Sequence, residues 1–283
     1  MNPLKTPSAR LTARADLELL PHVISATQAA GLVLARRFPA SATPTNHGEI
    51  LDALEANDRS VLAVLRDDLL TARPGSGWVE DEGGTGSLPP GEWWVTDPAE
   101  GNINHIHGLD DWAVSATLVR GNRPVLAVIH QPHRDRTYTA VRGAGAWLNE
   151  EPLTVSAKTE LGDALVGTGQ AVPGEDASTH RTMGRTVTAM LGAALVIKVA
   201  VPATLHLLDL AAGRTDVFWQ HSRVRSGLLA GALLVSEAGG TVSDLRGAPW
   251  TLDSADFLAS VPALHEASLL VLTDPDDSSE DAA

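Results

Sequence analysis

One short segment constrains the fold of this chain more than any other. It is an apolar run, residues 93–96 (Trp-Trp-Val-Thr), followed directly by an acidic turn, residues 97–101 (Asp-Pro-Ala-Glu-Gly). The apolar run predicts a strand, and the Pro and Gly that follow predict a tight turn. The end of such a strand presents two carboxylates and open backbone oxygens. A hard divalent cation prefers oxygen ligands of this kind. The segment therefore predicts a cation site at the end of a strand.

Composition excludes several classes of function. The chain has 283 residues, 43% of them apolar, which is enough to bury a large core in a soluble globular protein. Its net charge of −14 argues against nucleic-acid binding, which needs clustered Lys and Arg, so we expect no nucleic-acid partner. It has no Cys, no signal-like apolar start and no apolar run of about 20 residues. We therefore expect a cytoplasmic protein without disulfides or a membrane span.

The order of predicted elements favours an α/β fold. Apolar residues at helical spacing predict helices over 15–38 and 50–72, and strand-like runs between 112 and 149 predict an antiparallel meander. Strands and helices alternate after residue 164. We expect an α/β layered sandwich in two halves. The N-terminal α+β half spans 1–155 and carries the acidic motifs, the C-terminal α/β half spans 156–273, and residues 274–283 form a disordered acidic tail.

Four segments, in the same order along the chain, resemble motifs of the inositol monophosphatase family of magnesium-dependent phosphatases. Residues 97–104 (Asp-Pro-Ala-Glu-Gly-Asn-Ile-Asn) are similar to Asp-Pro-Ile-Asp-Gly-Thr-x-Asn, and residues 74–82 resemble a stretch that ends in Gly-Glu-Glu. Residues 112–115 resemble an apolar strand that ends in Val-Ser, and residues 231–240 resemble a helix that closes in Glu-Ala-Gly-Gly. The resemblance covers about residues 15–271. It implies a layered αβαβα sandwich of the sugar-phosphatase type and a homodimer.

The resemblance also implies roles for individual residues. It implies a Mg²⁺ site made by Asp81, Asp97, the Ala99 carbonyl and Glu100, with Asp58 near a weaker third ion. Asp81 stands where the family has Glu, and Glu100 where the family has Asp. Asp81 and Asn102 are the implied catalytic residues, and Asn102 stands where a family Thr hydrogen-bonds the attacking water. The implied substrate contacts are Glu100, Gly101, Asn102, Ala203 and Gln220.

Departures from the family pattern predict a reduced site. Gly227 stands where the family has the Asp that completes the second ion site, Gln220 stands where it has a Glu, and Val201-Pro202 replaces Gly-Ser or Gly-Thr. We expect one Mg²⁺ ion and no firm second ion. The predicted function is a Mg²⁺-dependent phosphomonoesterase that acts on a small sugar, cyclitol or nucleotide phosphate.

Two other interpretations of the same residues stay open at this point. In the first, the pocket is repurposed, either as a ligand-binding pseudophosphatase or as a metal-independent enzyme that uses His105, His107, Asp110 or Asp111. Against this, both histidines have an ordinary interpretation as structural residues. In the second, Arg223 and Arg225 receive a substrate anion in place of the missing Asp, although exposed loop arginines are the ordinary interpretation.

Overall fold

Two long helices pack against each other at the start of the chain: α1 (Pro7–Arg36) and α2 (His47–Ala72). The computed structural model describes residues 7–38, 43–81, 84–170, 174–222 and 225–273. The predicted tail, Glu82 and Arg223 lie outside these residues. The helix α2 begins three residues before its predicted start because the Asn46 side chain caps it by accepting the N–H of Glu49.

The first sheet has seven strands in sequential order. The strand β1 is parallel to β2, and every later neighbour is antiparallel, so the predicted meander is confirmed. The strands are β1 (Gly77–Trp78), β2 (Glu92–Glu100), β3 (Ala113–Arg120), β4 (Arg123–Gln131), β5 (Arg136–Val141), β6 (Gly145–Leu148) and β7 (Glu151–Pro152).

The second sheet has five strands in the order β11-β12-β10-β8-β9. The central strands β8, β9 and β10 are parallel, while β12 is antiparallel to both of its neighbours. Because parallel strands end at the same edge, the ends of β8 and β10 lie together. The strands are β8 (Leu165–Thr168), β9 (Val196–Val199), β10 (Val217–Gln220), β11 (Thr241–Ser243) and β12 (Phe257–Ser260).

Five layers result from the packing of the remaining helices. The outer face of the first sheet packs on α1 and α2, and the outer face of the second packs on α4 and α7, while α5 and α6 lie between the two sheets. This arrangement confirms the layered αβαβα sandwich. The helices are α3 (Asn102–Ile106), α4 (Ala177–Ala193), α5 (Ala203–Ala211), α6 (Arg225–Glu237) and α7 (His265–Thr273), with 3₁₀ turns at Pro132–Arg134, Leu161–Asp163 and Pro262–Leu264.

The middle layer is close-packed because α6 is apolar nearly all round. A Cβ atom at Gly231 would collide with Leu207 of α5, so a side chain there is excluded. Gly239 ends α6 with a φ of 93°, a left-handed conformation that favours glycine. Since α5 and α6 contact both sheets, the division of the chain near residue 155 stays a prediction.

One helical segment, residues 13–36 of α1, is long and apolar enough to cross a membrane by length and composition alone. Its inner face packs on α2 and the first sheet, with Val23, Ala30 and Leu34 fully buried. The core helix of a folded domain has these same properties. The segment is therefore weak evidence for a membrane span.

Candidate active site

The acidic turn lies where β2 leaves its ladder with β3. Asp97 pairs with Ser115 and Glu100 with Ala113, so four residues of β2 face three of β3 and form a bulge. The Asp97 N–H donates to the Ser115 hydroxyl at 3.3 Å. Gly101 closes the turn with a φ of 77°, and a Cβ there would be 2.5 Å from the carbonyl oxygen of Asp111. The bulge brings the two carboxyl groups of the turn to one place.

Asp97 and Glu100 form a hydrogen-bonded pair of carboxyl groups. Burial raises the pKa of Asp97 to about 7, helped by the charge of Asp58, while hydrogen bonds from the Ala99 N–H (3.0 Å) and with Glu100 oppose the rise. Glu100 is only 3% exposed. A hydrogen bond between two carboxyl groups requires one proton. Because the pKa of Asp97 is raised to about 7, this carboxyl holds a proton at lower pH that a cation can replace.

Asp58 and Asn102 connect helix α2 to the same turn. The Asn102 Nδ2 atom donates to Asp58 Oδ1 at 2.8 Å and to the Leu54 carbonyl at 3.1 Å, and its Oδ1 accepts from Asn57 Nδ2 at 2.7 Å. Burial raises the pKa of Asp58 to about 6, although the bond from Asn102 lowers it. The amide of Asn102 is thus largely committed to α2. Its predicted role in orienting water stays a prediction.

His105 is a structural residue of the wall behind the turn. It is 1% exposed; Nδ1 accepts from Asn57 Nδ2 at 3.0 Å, and Nε2 donates to the Leu34 carbonyl at 3.0 Å. This pair of contacts fixes the neutral tautomer, and burial lowers the pKa of the ring. The structural interpretation of His105 is therefore supported.

The other residues of the metal-independent alternative are scattered over the surface. His107 is exposed, with Nδ1 2.7 Å from the Ile103 carbonyl. Asp110 lies 3.3 Å from His133, and Asp111 forms an ion pair with Arg134 at 2.9 Å. Each group interacts with a different surface partner, and they do not form one acid–base centre.

Asp81 faces Arg225 across Gly84. The side chain of Asp81 is exposed, and its charge is one that raises the pKa of Arg225, against the lowering by burial. Arg225 itself is only 8% exposed, and its Nη2 donates to the carbonyls of Thr85 (2.6 Å) and Gly86 (2.9 Å). The ordinary interpretation of Arg225 as an exposed loop arginine is therefore wrong. The predicted metal role of Asp81 stays a prediction.

The start of helix α5 is docked on the turn. Pro202 precedes the first helical residue, Ala203, and an added Cβ at Gly101 would be 3.0 Å from Pro202 Cδ. The Asn104 Nδ2 atom donates to the carbonyls of Val201 and Asp111, at 2.8 Å each. The sequence analysis predicts no role for Asn104. Its position in the motif at residues 97–104 is the feature that could have indicated one. It fixes Ala203 and Gly101 as neighbours.

Gln220 ends strand β10 and is 3% exposed. Its Nε2 donates to the Ser222 carbonyl at 3.3 Å, while its buried Oε1 and the buried Ser222 hydroxyl have no hydrogen-bond partner in the described part of the chain. Buried polar atoms of this kind are costly unless a ligand or water satisfies them. They point to a polar space beyond the end of β10.

The oxygen donors at the β2 turn are the candidate ligands for a divalent cation. No group of three or more His, Asp or Glu residues converges as a metal cluster among the described residues. The hydrogen-bonded carboxyls of Asp97 and Glu100 and the Ala99 carbonyl can still ligate one ion, with Asp58 adding negative charge. On the side of α6, Gly227 brings no carboxylate and Arg225 brings a positive charge.

Comparisons with known proteins find relatives over most of the chain. A family model described as the inositol monophosphatase family matches residues 16–273. An inositol-1-monophosphatase of Rhizobium meliloti is 33% identical over 225 residues, which cover 79% of this chain and 84% of that protein. A protein named Nus factor SuhB of Pseudomonas aeruginosa is 34% identical over 220 residues, 77% of this chain and 80% of that protein.

Solved structures have the same fold. The inositol monophosphatase from Anabaena superposes with a TM-score of 0.77 at 25% identity, over 91% of this chain and 96% of that one. The extragenic suppressor protein suhB from Bartonella henselae gives a TM-score of 0.74 at 27% identity, over 90% and 99% of the two chains. The likeness extends over nearly the whole of each chain.

Proposed function

Because the chain belongs to the inositol monophosphatase family, we propose that it is a Mg²⁺-dependent phosphomonoesterase that acts on a small phosphorylated metabolite. The observation that carries the proposal is the pair of carboxyl groups at the β2 bulge, half-buried Asp97 and buried Glu100. A cation that replaces the proton of Asp97 would be held by the carboxylates of Asp97 and Glu100 and by the Ala99 carbonyl. Asp58 stands behind them as a further negative charge.

A divalent cation bound there supplies the charge that lowers the pKa of water and neutralises a phosphate group. The residues of the chain hold the cation ligands in position. The bulge and the Ser115 contact hold Asp97 in place, and Asn102 holds Asp58 toward the turn. Burial of Glu100 keeps bulk water from the carboxyl pair. Asp81 stays a proposed cation ligand and catalytic residue, and its charge also acts on Arg225.

We propose that the substrate phosphate binds at the start of α5. The first amides of a helix bind anions, and those of α5 begin at Ala203, beside Gly101. Gln220 then contacts the rest of the substrate, because its Oε1 can accept from a hydroxyl group. A neutral amide replaces the carboxylate that the family resemblance implies there. These contacts support a sugar, cyclitol or nucleotide phosphate as the substrate class.

We propose no nucleic-acid partner, although some relatives are named Nus factor SuhB. The support is the net charge of −14, which repels a phosphate backbone. The alternative of a metal-independent enzyme has no support in the positions of His105, His107 and Asp110. The cytoplasmic location stays a prediction.

A homodimer is the proposed assembly. Strand β9 lies at the edge of the second sheet and pairs only with β8 among the described strands. In β9 and the segment before it, Leu191, Leu195 and Val199 are each more than half exposed, and exposed apolar side chains near a strand edge favour a protein partner. Sedimentation of the wild type and of Leu195→Glu tests the dimer, and a monomeric wild type would contradict it.

Phosphate release from a panel of sugar, cyclitol and nucleotide monophosphates tests the proposed activity, with about 5 mM Mg²⁺ because such sites are often weak. The expected result is turnover that stops on chelation and in Asp97→Asn. The matched control is Asp67→Asn, an exposed carboxylate on α2, which should keep wild-type turnover. Turnover that survives both chelation and Asp97→Asn would contradict the proposal.

A further inference from the structure

A polar cleft opens between the inner face of the first sheet and helix α5. Gln131 of β4 is paired with Arg136 of β5, so their side chains lie on one face of the sheet, and Tyr138 follows on that face. The opposite wall belongs to β9 and α5 and includes Lys198 and Asp209. About 80 Å³ of the cleft is open to the centres of water molecules, whereas one water needs only about 10–15 Å³ of such volume. The cleft therefore has room for a group of several atoms.

Positive charge predominates around this cleft. Asp209 is shared by two cations, Lys198 at 3.8 Å and Arg214 at 3.2 Å. Arg136 has no ion pair with any residue that the structure describes. The cationic side chains that line the cleft are Arg134, Arg136 and Lys198, and the carboxylates that line it are Asp111, which pairs with Arg134 at 2.9 Å, and Asp209. Among the described residues the cleft thus carries an excess of positive charge, in a chain whose net charge is −14.

Two uncharged donors line the same cleft. Gln131 is only 3% exposed, and its side-chain amide makes no hydrogen bond to a described residue. Tyr138 is 1% exposed; its hydroxyl oxygen accepts from Arg214 Nη1 at 3.2 Å, and no described residue accepts its hydrogen. Buried polar groups are normally hydrogen-bonded. An amide and a hydroxyl that both lack an acceptor therefore point to a ligand or water oxygen in the cleft.

The cleft is separate from the carboxyl pair of the acidic turn. No residue of the turn is among the described residues that line the cleft. Asp111 and Pro202, which lie beside Gly101, form the border between the two places. The cleft also differs from the proposed dimer surface, because Lys198 and Val199 are consecutive in β9 and their side chains point to opposite faces of the strand. The positive charge of the cleft is thus not explained by the metal site or by the dimer.

We propose that this cleft is a second anion site, which binds a small phosphorylated molecule through its phosphate group and without a metal ion. Arg136, with no carboxylate partner, and Lys198, with a distant and shared one, supply the positive charge. Gln131 and Tyr138 add uncharged donors. Donors that converge from three different strands match the oxygens of a tetrahedral dianion, whereas a carboxylate is satisfied by one planar fork. The inference goes beyond the proposed phosphatase function and does not depend on it.

Titration of inorganic phosphate into the chelated, metal-free protein tests the inference by calorimetry. Without a divalent cation the carboxylates of the acidic turn repel phosphate, so the measurement reports on other sites. We expect one phosphate per chain with a Kd of about 1 mM or below. Arg136→Met should bind at least about tenfold more weakly, because a hydrogen bond between charged groups is lost. Gln131→Met, which keeps the length of the side chain, should bind about threefold more weakly.

Controls separate the cleft from the rest of the surface. Arg246→Met removes an arginine with an 81% exposed side chain outside the cleft and should keep the wild-type affinity. Lys198→Met changes an exposed residue, so its weaker binding would support the site even if Arg136→Met failed to fold.

Two results would overturn the inference: no phosphate binding by the metal-free wild type, or equal affinity in the wild type, Arg136→Met and Lys198→Met. The proposed activity can fail separately. A protein that binds phosphate in this way and releases none from any ester would contradict the phosphatase function and still support the second anion site.

Discussion

The Asn102 Nδ2 atom lies 2.8 Å from Asp58 Oδ1 and ties helix α2 to the acidic turn. The same amide accepts from Asn57 and donates to the Leu54 carbonyl. A threonine hydroxyl has a single donor and cannot reproduce this set of contacts. The residue that the family resemblance assigns to water is, in this chain, also the residue that orients a neighbouring carboxylate.

Removing this amide should change both stability and the titration of Asp58. In Asn102→Ala we expect a loss of about 1–3 kcal/mol, because Asp58, Asn57 and the Leu54 carbonyl each lose one hydrogen bond. The pKa of Asp58 should rise above its value of about 6, since the lost bond favours the ionised form. Thermal unfolding and carboxyl NMR titration measure the two effects. Asn46→Ala, which loses only a helix cap, is the matched control, and an unchanged Asp58 pKa in Asn102→Ala would contradict the prediction.

Cation affinity should rise with pH because the ion replaces a proton. The pKa of Asp97 is raised to about 7, mainly by burial, so the carboxyl is mostly protonated at lower pH. Affinity for Mn²⁺ should be about tenfold weaker at about pH 6 than at about pH 8. Calorimetry in buffers of different ionisation enthalpy should detect the released proton. An affinity that does not vary over this range would contradict the replacement of the Asp97 proton by the cation.

Stability of the metal-free protein should move in the opposite direction. An unfolded Asp ionises near pH 4, whereas folded Asp97 keeps its proton up to about pH 7. Folding stability therefore falls as pH rises through this window and stays lower above it. Asp97→Asn removes the titration, so above about pH 7 the variant should unfold at a higher temperature than the chelated wild type. A lower unfolding temperature for the variant would contradict this prediction.

Local patterns were enough to predict most of the fold. The apolar periodicities identified both long helices and the strands of the meander, and the resemblance gave the five layers. The acidic turn was also found locally, because its strand, proline and glycine lie within nine residues. The two-residue strand β7 was missed because so short a segment has no periodicity.

Contacts between distant segments were beyond such patterns. The sequence gives no sign that Asn57 joins Asn102 to His105 across 48 positions, or that Arg225 reaches carbonyls 140 positions earlier. A polar residue whose sequence neighbours are also polar is predicted to be exposed, although the folded chain can bury it. Arg225 was interpreted as a surface residue for this reason, and its burial is decided by the docking of α6 against the loop before β2.

Glu237, in the Glu-Ala-Gly-Gly motif, should matter for stability and not for chemistry. Its carboxylate accepts the N–H groups of Gly143 at 2.8 Å and Gly145 at 3.0 Å, which ties the β5–β6 turn to the end of α6. Glu237→Ala leaves these donors unpaired and should cost about 1–3 kcal/mol. Denaturant unfolding measures the loss, and kcat with Mg²⁺ should stay at the wild-type value. A large fall in kcat without loss of stability would contradict the structural role.

The ion network around Glu92 should limit stability in acid. Arg73 donates to the Glu92 carboxylate at 2.6 Å, and a second arginine, Arg120, contacts both Glu92 and Asp16. The hydrogen bond from Arg73 is the largest cause that lowers the pKa of Glu92 to about 2. Because the folded pKa is below the unfolded value of about 4.3, the stabilisation is complete above that pH and is lost as pH falls toward about 2.

Glu92→Gln should therefore be less stable than the wild type near neutral pH, and the difference in unfolding free energy should shrink in acid. The control, Glu55→Gln, breaks an exposed pair with Arg59 and should cost less than about 1 kcal/mol at any pH. A difference between Glu92→Gln and the wild type that stays constant down to about pH 2 would mean that Glu92 is not the group that titrates.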